Sequence, residues 1–142
     1  MPQNLIFTPM GVMALLTFSV LVLIPLRRFR AGAAGHITAE DFRYGESAKV
    51  PPDVSIPNRN YMNLLELPTL FFPVCLMFYV TSRVDAPVLI VAWAYVALRA
   101  VHSLIHVSYN NVMHRLIAFT LSNVVLGALW LMFFFWRPAL RF

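Results

Sequence analysis

Arg59, Asn63 and Glu66 are spaced i, i+4 and i+7, and Arg99, His102 and His106 are spaced i, i+3 and i+7. On a helix each set falls on one face. An ionisable group inside an apolar helix costs about 2.5 to 3.5 kcal/mol on insertion scales, so it normally faces a partner, a cavity or a bundle interior. Two chemistries suit these residues. In one, Glu66 and Arg99 neutralise each other as a structural ion pair, while Asn63 and the histidines supply interhelical hydrogen bonds. In the other, Arg59 and Arg115, each near a helix end, offer guanidinium forks to an anionic ligand entering from that side. The spacing leaves both open.

Other chemistry finds less support. His102 and His106 at i, i+4 suit zinc, iron or copper, but two imidazoles do not close a site and no Glu completes an H-E-x-x-H pattern. No metal is therefore assigned. The chain carries no nucleophile elbow, phosphate loop or dinucleotide fingerprint. Its single cysteine, Cys75, lies in an apolar stretch with no intrachain partner, which excludes a disulfide framework and reads as a small buried hydrophobe.

The elements that must carry these side chains follow from composition. Hydrophobic residues make up 60% of the chain and charged ones 12%, and the apolar residues run unbroken rather than alternating with a polar face. Such a chain is expected to be an all-α membrane protein, a bundle of four transmembrane helices. The spans read as 5–26, 61–80, 86–107 and 116–136, each long enough for a hydrocarbon core of about 30 Å at 1.5 Å per residue. Pro68 and Pro73 remove backbone donors from the second and should kink it. No second domain, repeat or low-complexity segment is evident, so residues 1–142 read as one membrane domain.

Orientation follows from charge. Six of the eleven Lys and Arg residues (Arg27, Arg28, Arg30, Arg43, Lys49 and Arg59) fall in the polar stretch 27–59, which also holds Pro51, Pro52 and Pro57. The positive-inside bias makes this the cytoplasmic loop and leaves both termini outside, although Arg137 and Arg141 argue mildly the other way. No basic residue precedes the first apolar run, so it is expected to be a retained helix rather than a cleaved leader. The net charge of +5 sits beside apolar runs and not on an aromatic-studded groove, which argues against nucleic acid and leaves membrane lipids as the expected partner.

These residues also carry a family resemblance. The run R-N-Y-M-N-L-L-E from Arg59 to Glu66, the R-A-V-H element from Arg99 to His102, and Arg115 at the start of the fourth helix resemble, in this order, the MAPEG family (membrane-associated proteins in eicosanoid and glutathione metabolism), its bacterial-type members in particular. The resemblance covers essentially the whole chain. It implies a homotrimer that binds glutathione, as co-substrate, between subunits near the cytoplasmic side. Arg59, Asn63 and Glu66 would contact the charged ends of the tripeptide, Arg99, His102 and His106 would line the site, and Arg115 would sit beside the thiol as the catalytic residue. The implied activity is glutathione transfer to, or peroxidase action on, lipophilic electrophiles in a bacterial inner membrane.

The same comparison exposes departures. His106 and Phe119 stand where characterised eicosanoid enzymes have tyrosines, and Met62 stands at a basic position. Each change removes a donor or a charge, so a non-catalytic membrane subunit, a lipid binder or a partner of other membrane proteins on the same scaffold stays open beside the enzyme.

Overall fold

In the computed structural model, which describes residues 1–135, the chain is all-helical. A 3-10 turn at Gln3–Ile6 leads into α1 (Phe7–Ala33), followed by α2 (Pro52–Leu65), α3 (Phe71–Val80), α4 (Ala86–Val107) and α5 (Val112–Phe135). Four segments are long and apolar enough to cross a bilayer: Gln3–Ala33, Pro52–Val80, Ala86–Val107 and Val112–Phe135. The second combines α2 and α3. Trp136, Arg137 and Arg141, which entered the reading of span and charge, lie outside the described residues.

The third helix occupies the expected 86–107, whereas the first runs on past residue 26, the second crossing begins before 61 and the last before 116, because polar residues continue a helix beyond the hydrocarbon. α1 continues through Arg27, Arg28 and Arg30 and stops only where Gly35 takes φ +77. There the Gly35 and His36 N–H groups turn back to the carbonyls of Gly32 and Ala31, at 3.0 Å each. Glycine adopts that left-handed position without steric cost, so the stop is local chemistry. The connection is therefore shorter than the predicted 27–59 loop, and Arg59 belongs to α2. Within it, Ile37 and Val50 bury against Ala31 and Val54, with Phe42 packed alongside.

The second span is broken at Glu66, whose backbone (φ −83, ψ −115) is not helical. Pro68 explains the break, because it lacks an N–H and its ring would meet the carbonyl of Leu64 in a continued helix. The Glu66 carbonyl is taken instead by Thr69, from its N–H at 3.1 Å and its hydroxyl at 2.6 Å. Pro73 sits in the first turn of α3, where a missing donor costs little. Pro57 inside α2 likewise supplies no N–H to the carbonyl of Asp53. Arg27 fills that gap, donating to the Asp53 carbonyl at 2.8 Å and to the terminal α4 carbonyl of Val107 at 2.9 Å.

Side-chain contacts fix which ends lie together. The Gln3 amide pairs with both backbone groups of Val84, and Arg83 donates to the Phe133 carbonyl at 2.8 Å, so the start of α1, the α3–α4 turn and the end of α5 share one end. Arg27 ties the opposite end. α4 and α5 form the most extensive helix pair, and the core runs from Met13 and Val20 through Phe71, Val74 and Phe78 to Tyr95, Leu126 and Leu129. Large apolar side chains such as Leu15, Phe18, Ile90, Val124 and Leu131 point outward instead. A surface of that kind belongs in lipid.

Candidate functional site

The polar residues gather at the Arg27 end, where α2, α4 and α5 meet. Two depressions adjoin there. One, of about 240 Å³, is lined by Ile56, Arg59, Asn63, His106, Asn110 and Arg115. The other, of about 230 Å³, is lined by Asn63, His102, Val112, Arg115, Leu116 and Phe119. Asn63 and Arg115 belong to both, so the two make one groove with a polar head and an apolar extension toward the spans.

The turn between α4 and α5 sets Arg115. Asn110 adopts φ +48, a left-handed conformation that asparagine tolerates better than most residues, and its N–H returns to the Ile105 carbonyl at 2.8 Å. Its side-chain oxygen then accepts a 2.6 Å hydrogen bond from Arg115 Nη1. Asn111 caps α5, its side chain accepting from the His114 N–H at 3.0 Å. Arg115 is thereby held on the first turns of α5 with its guanidinium over the groove.

Arg59 and Asn63 reach the groove from α2, one turn apart, and His102 and His106 from α4. The two imidazoles lie nearly parallel, centroids 5.7 Å apart and 11° between planes, while the Phe119 ring stands edge-on to His102 at 5.7 Å. Among the described residues, no group of three His, Cys, Asp or Glu side chains gathers at these histidines or elsewhere.

Several buried polar atoms here have no hydrogen-bond partner among the described residues: Asn63 Oδ1, both ring nitrogens of His102, and His106 Nδ1. Leaving such atoms unpaired costs about 1 to 3 kcal/mol each, so their clustering around one groove marks a place for a polar ligand or water. Their identities suit an anionic peptide, with two guanidiniums for carboxylates, an amide oxygen for an ammonium, and ring nitrogens for peptide groups.

Two expected members stand elsewhere. Arg99 is fully buried behind the groove, donating to the Asn63 backbone carbonyl at 3.2 Å, with its guanidinium 5.8 Å from the Phe119 ring and its Nε and Nη1 unpartnered. It supports the groove without lining it. Glu66 departs further, because α2 ends at Leu65 and the helical stripe of Arg59 and Asn63 does not continue to it. Its carboxylate is exposed and makes no ion pair with Arg99; the ion pairs among the described residues are Arg28–Glu46 and Arg43–Glu40, both at 3.0 Å. The structural pair expected between Glu66 and Arg99 is thus not formed within the chain.

Some participants were not anticipated. Asn110 lines the groove from the turn between α4 and α5, where two adjacent asparagines between apolar helices are a turn signal. Asn60, fully buried, accepts from the Ser103 hydroxyl at 3.3 Å and joins α2 to α4 beneath the site. Its register with the buried Val54, Pro57 and Leu64 could have revealed it.

Fold and groove together define a four-span integral membrane protein with a cationic cleft at one end of its helices. Its sequence matches the MAPEG family over residues 6–135, and the chain belongs to that family. MAPEG members include glutathione transferases and peroxidases as well as non-catalytic proteins, commonly use glutathione and are often trimers. No curated protein and no solved structure matched the chain.

Proposed function

We propose that this protein binds glutathione in the groove between α2, α4 and α5 and uses it as a glutathione-dependent transferase or peroxidase on lipophilic electrophiles. The observation that carries this reading is the convergence of Arg59, Asn63, His106 and Arg115 on one cleft, with His102 and Phe119 on its apolar continuation. Glutathione bears two carboxylates, one ammonium and a thiol. The guanidinium of Arg59 suits a carboxylate, and Asn63 Oδ1 is the buried acceptor available to the ammonium.

Arg115 is the candidate catalytic residue. A fixed cation near sulfur favours thiolate over thiol, and the thiolate is the nucleophile. In transfer, sulfur forms a bond to an electrophilic carbon and the thiol proton goes to solvent; either the bond from that carbon to its leaving group breaks and the group departs with the electron pair, or the π pair shifts to the neighbouring atom, which takes a proton from solvent. Val112, Leu116 and Phe119 would admit the apolar part of that electrophile from the bilayer side.

The groove end is proposed to be cytoplasmic, with both termini across a bacterial inner membrane. A homotrimer would bring the exposed Glu66 and the open side of the groove against a neighbouring copy. The non-catalytic alternative rests on one observation, that Phe119 lines the groove with no hydroxyl to offer sulfur. Binding and chemistry separate the two. Millimolar glutathione should raise the melting temperature of the detergent-purified protein and produce thiolate absorbance; stabilisation without thiolate favours the non-catalytic reading, and neither signal rejects glutathione altogether.

A further inference from the structure

Apart from the groove, a separate pocket of about 870 Å³ lies between the end of α1 and the start of α2, lined by Arg27, Arg30, Ala31, His36, Asp53 and Val54 among others. Its charge is unbalanced. Arg28, on another flank of α1, is neutralised by Glu46 at 3.0 Å, with its guanidinium 4.3 Å from the Phe42 ring centroid. Arg27 meets only backbone carbonyls, and neither it nor Arg30 has a carboxylate within ion-pair distance among the described residues. Asp53 stands on the pocket wall without bonding to either guanidinium through its carboxylate. The backbone turn at Gly35 brings His36 over the same pocket.

Depth supplies the second line of argument. The uncharged run of α1 ends at Leu26, so Arg27 and Arg30 stand within one turn beyond the hydrocarbon, at headgroup level. Leu23 and Leu26, one turn earlier beneath them, are respectively half-buried and 56% exposed. An occupant with an anionic head and an apolar tail would satisfy both halves.

We infer that this pocket is a binding site for an anionic phospholipid, whose phosphodiester is held by Arg27, Arg30 and His36 while an acyl chain lies along Leu23 and Leu26. Basic pockets at the membrane face commonly take such headgroups. Asp53 adds a preference. It accepts a hydrogen bond from a headgroup hydroxyl, which suits phosphatidylglycerol over a bare phosphate. The site is distinct from the glutathione groove and does not depend on it.

The test is lipid retention by the full chain, purified from mixed micelles of phosphatidylglycerol and phosphatidylcholine and quantified by mass spectrometry. Wild type should enrich phosphatidylglycerol several-fold. Arg30→Ala should reduce that enrichment about five-fold, the effect of one basic residue near the surface, and His36→Ala should reduce it less. Arg30 and His36 are exposed, so both variants should fold. Arg43→Ala, which removes equal charge from the loop, should leave the enrichment unchanged. Equal retention of both lipids by wild type, or an equal loss in Arg43→Ala, overturns the proposal. Two further results overturn the choice of occupant: displacement of the lipid by millimolar inorganic phosphate, and retention of phosphatidylethanolamine equal to that of phosphatidylglycerol.

Discussion

Asn110 accepts a 2.6 Å hydrogen bond from Arg115 through its side-chain oxygen while holding its own backbone at φ +48. One residue therefore shapes the α4–α5 turn and aims the candidate catalytic cation. Asn110→Gly separates these roles, since glycine keeps the left-handed backbone and loses the amide. A hydrogen bond to a charged group contributes about 1.5 to 3 kcal/mol, so glutathione affinity or turnover should fall by roughly ten-fold or more with little change in melting temperature. Isothermal titration beside thermal unfolding checks this; an unchanged affinity would mean that Arg115 needs no such support.

Arg115→Lys should retain part of the glutathione affinity and lose more of the thiolate signal, because an ammonium keeps the charge but not the planar fork. Arg115→Ala should lose both. Absorbance of the bound thiolate across a pH titration reads the difference. If all three proteins ionise the thiol alike, the cation beside sulfur is another residue.

Arg27 satisfies two carbonyls that no helix bond reaches, one freed by Pro57 and one at the end of α4. Arg27→Ala should lower stability by about 1 kcal/mol, mostly through the partly buried Val107 carbonyl, since water reaches the exposed Asp53 carbonyl. Adding Pro57→Ala, which restores a backbone donor, should recover part of the loss. A double-mutant cycle by detergent unfolding measures the coupling, and strict additivity would break the assigned link.

Glu66→Gln removes an exposed charge that forms no ion pair among the described residues, so the stability of the bundle should change by less than about 0.5 kcal/mol. Any larger effect should appear in the oligomeric state. Light scattering of the detergent complex, corrected for bound detergent, distinguishes these outcomes; a large loss of monomer stability would return Glu66 to the buried network.

The loop carries the pH dependence. The Asp41 carboxyl is held below its usual value, first by the Thr38 backbone N–H, then by the Ser47 and Thr38 hydroxyls, and to a smaller extent by Lys49. A lowered value means that the folded loop is favoured above the unfolded carboxyl value, about pH 3.9, and that this contribution disappears as pH falls through the folded one. Protection from hydrogen exchange at 38–50, corrected for the intrinsic slowing of exchange in acid, should fall on acidification below about pH 4. In Asp41→Asn that acid-dependent step should be absent.

What sequence made legible was the solvent and the positions that resist it. Unbroken apolar runs defined four spans, and helical spacing brought Arg59, Asn63, His102 and His106 to one groove with Arg115. Glu66 was misjudged because a stripe drawn at 3.6 residues per turn assumes a continuous helix, whereas Pro68 ends α2 one residue before it. The sequence marks a kink at Pro68 and Pro73 but does not show that Pro68 alone breaks the helix, or that Glu66 is the residue it redirects. Asn110 and Asn60 escaped notice for another reason. The Asn110–Asn111 pair signals a turn and Asn60 shares the register of Val54, Pro57 and Leu64, but neither pattern says that Asn110 would hold Arg115 or that Asn60 would meet Ser103.

The interruption at Glu66 has a mechanical side. Because the second crossing consists of two shorter rods joined at a non-helical residue, each rod takes its direction from its own neighbours: α2 from Arg27 and the Asn60–Ser103 contact, α3 from Phe71, Val74 and Phe78 in the core. The half of the span that carries the cationic groove is thereby positioned independently of the half that fills the bilayer core.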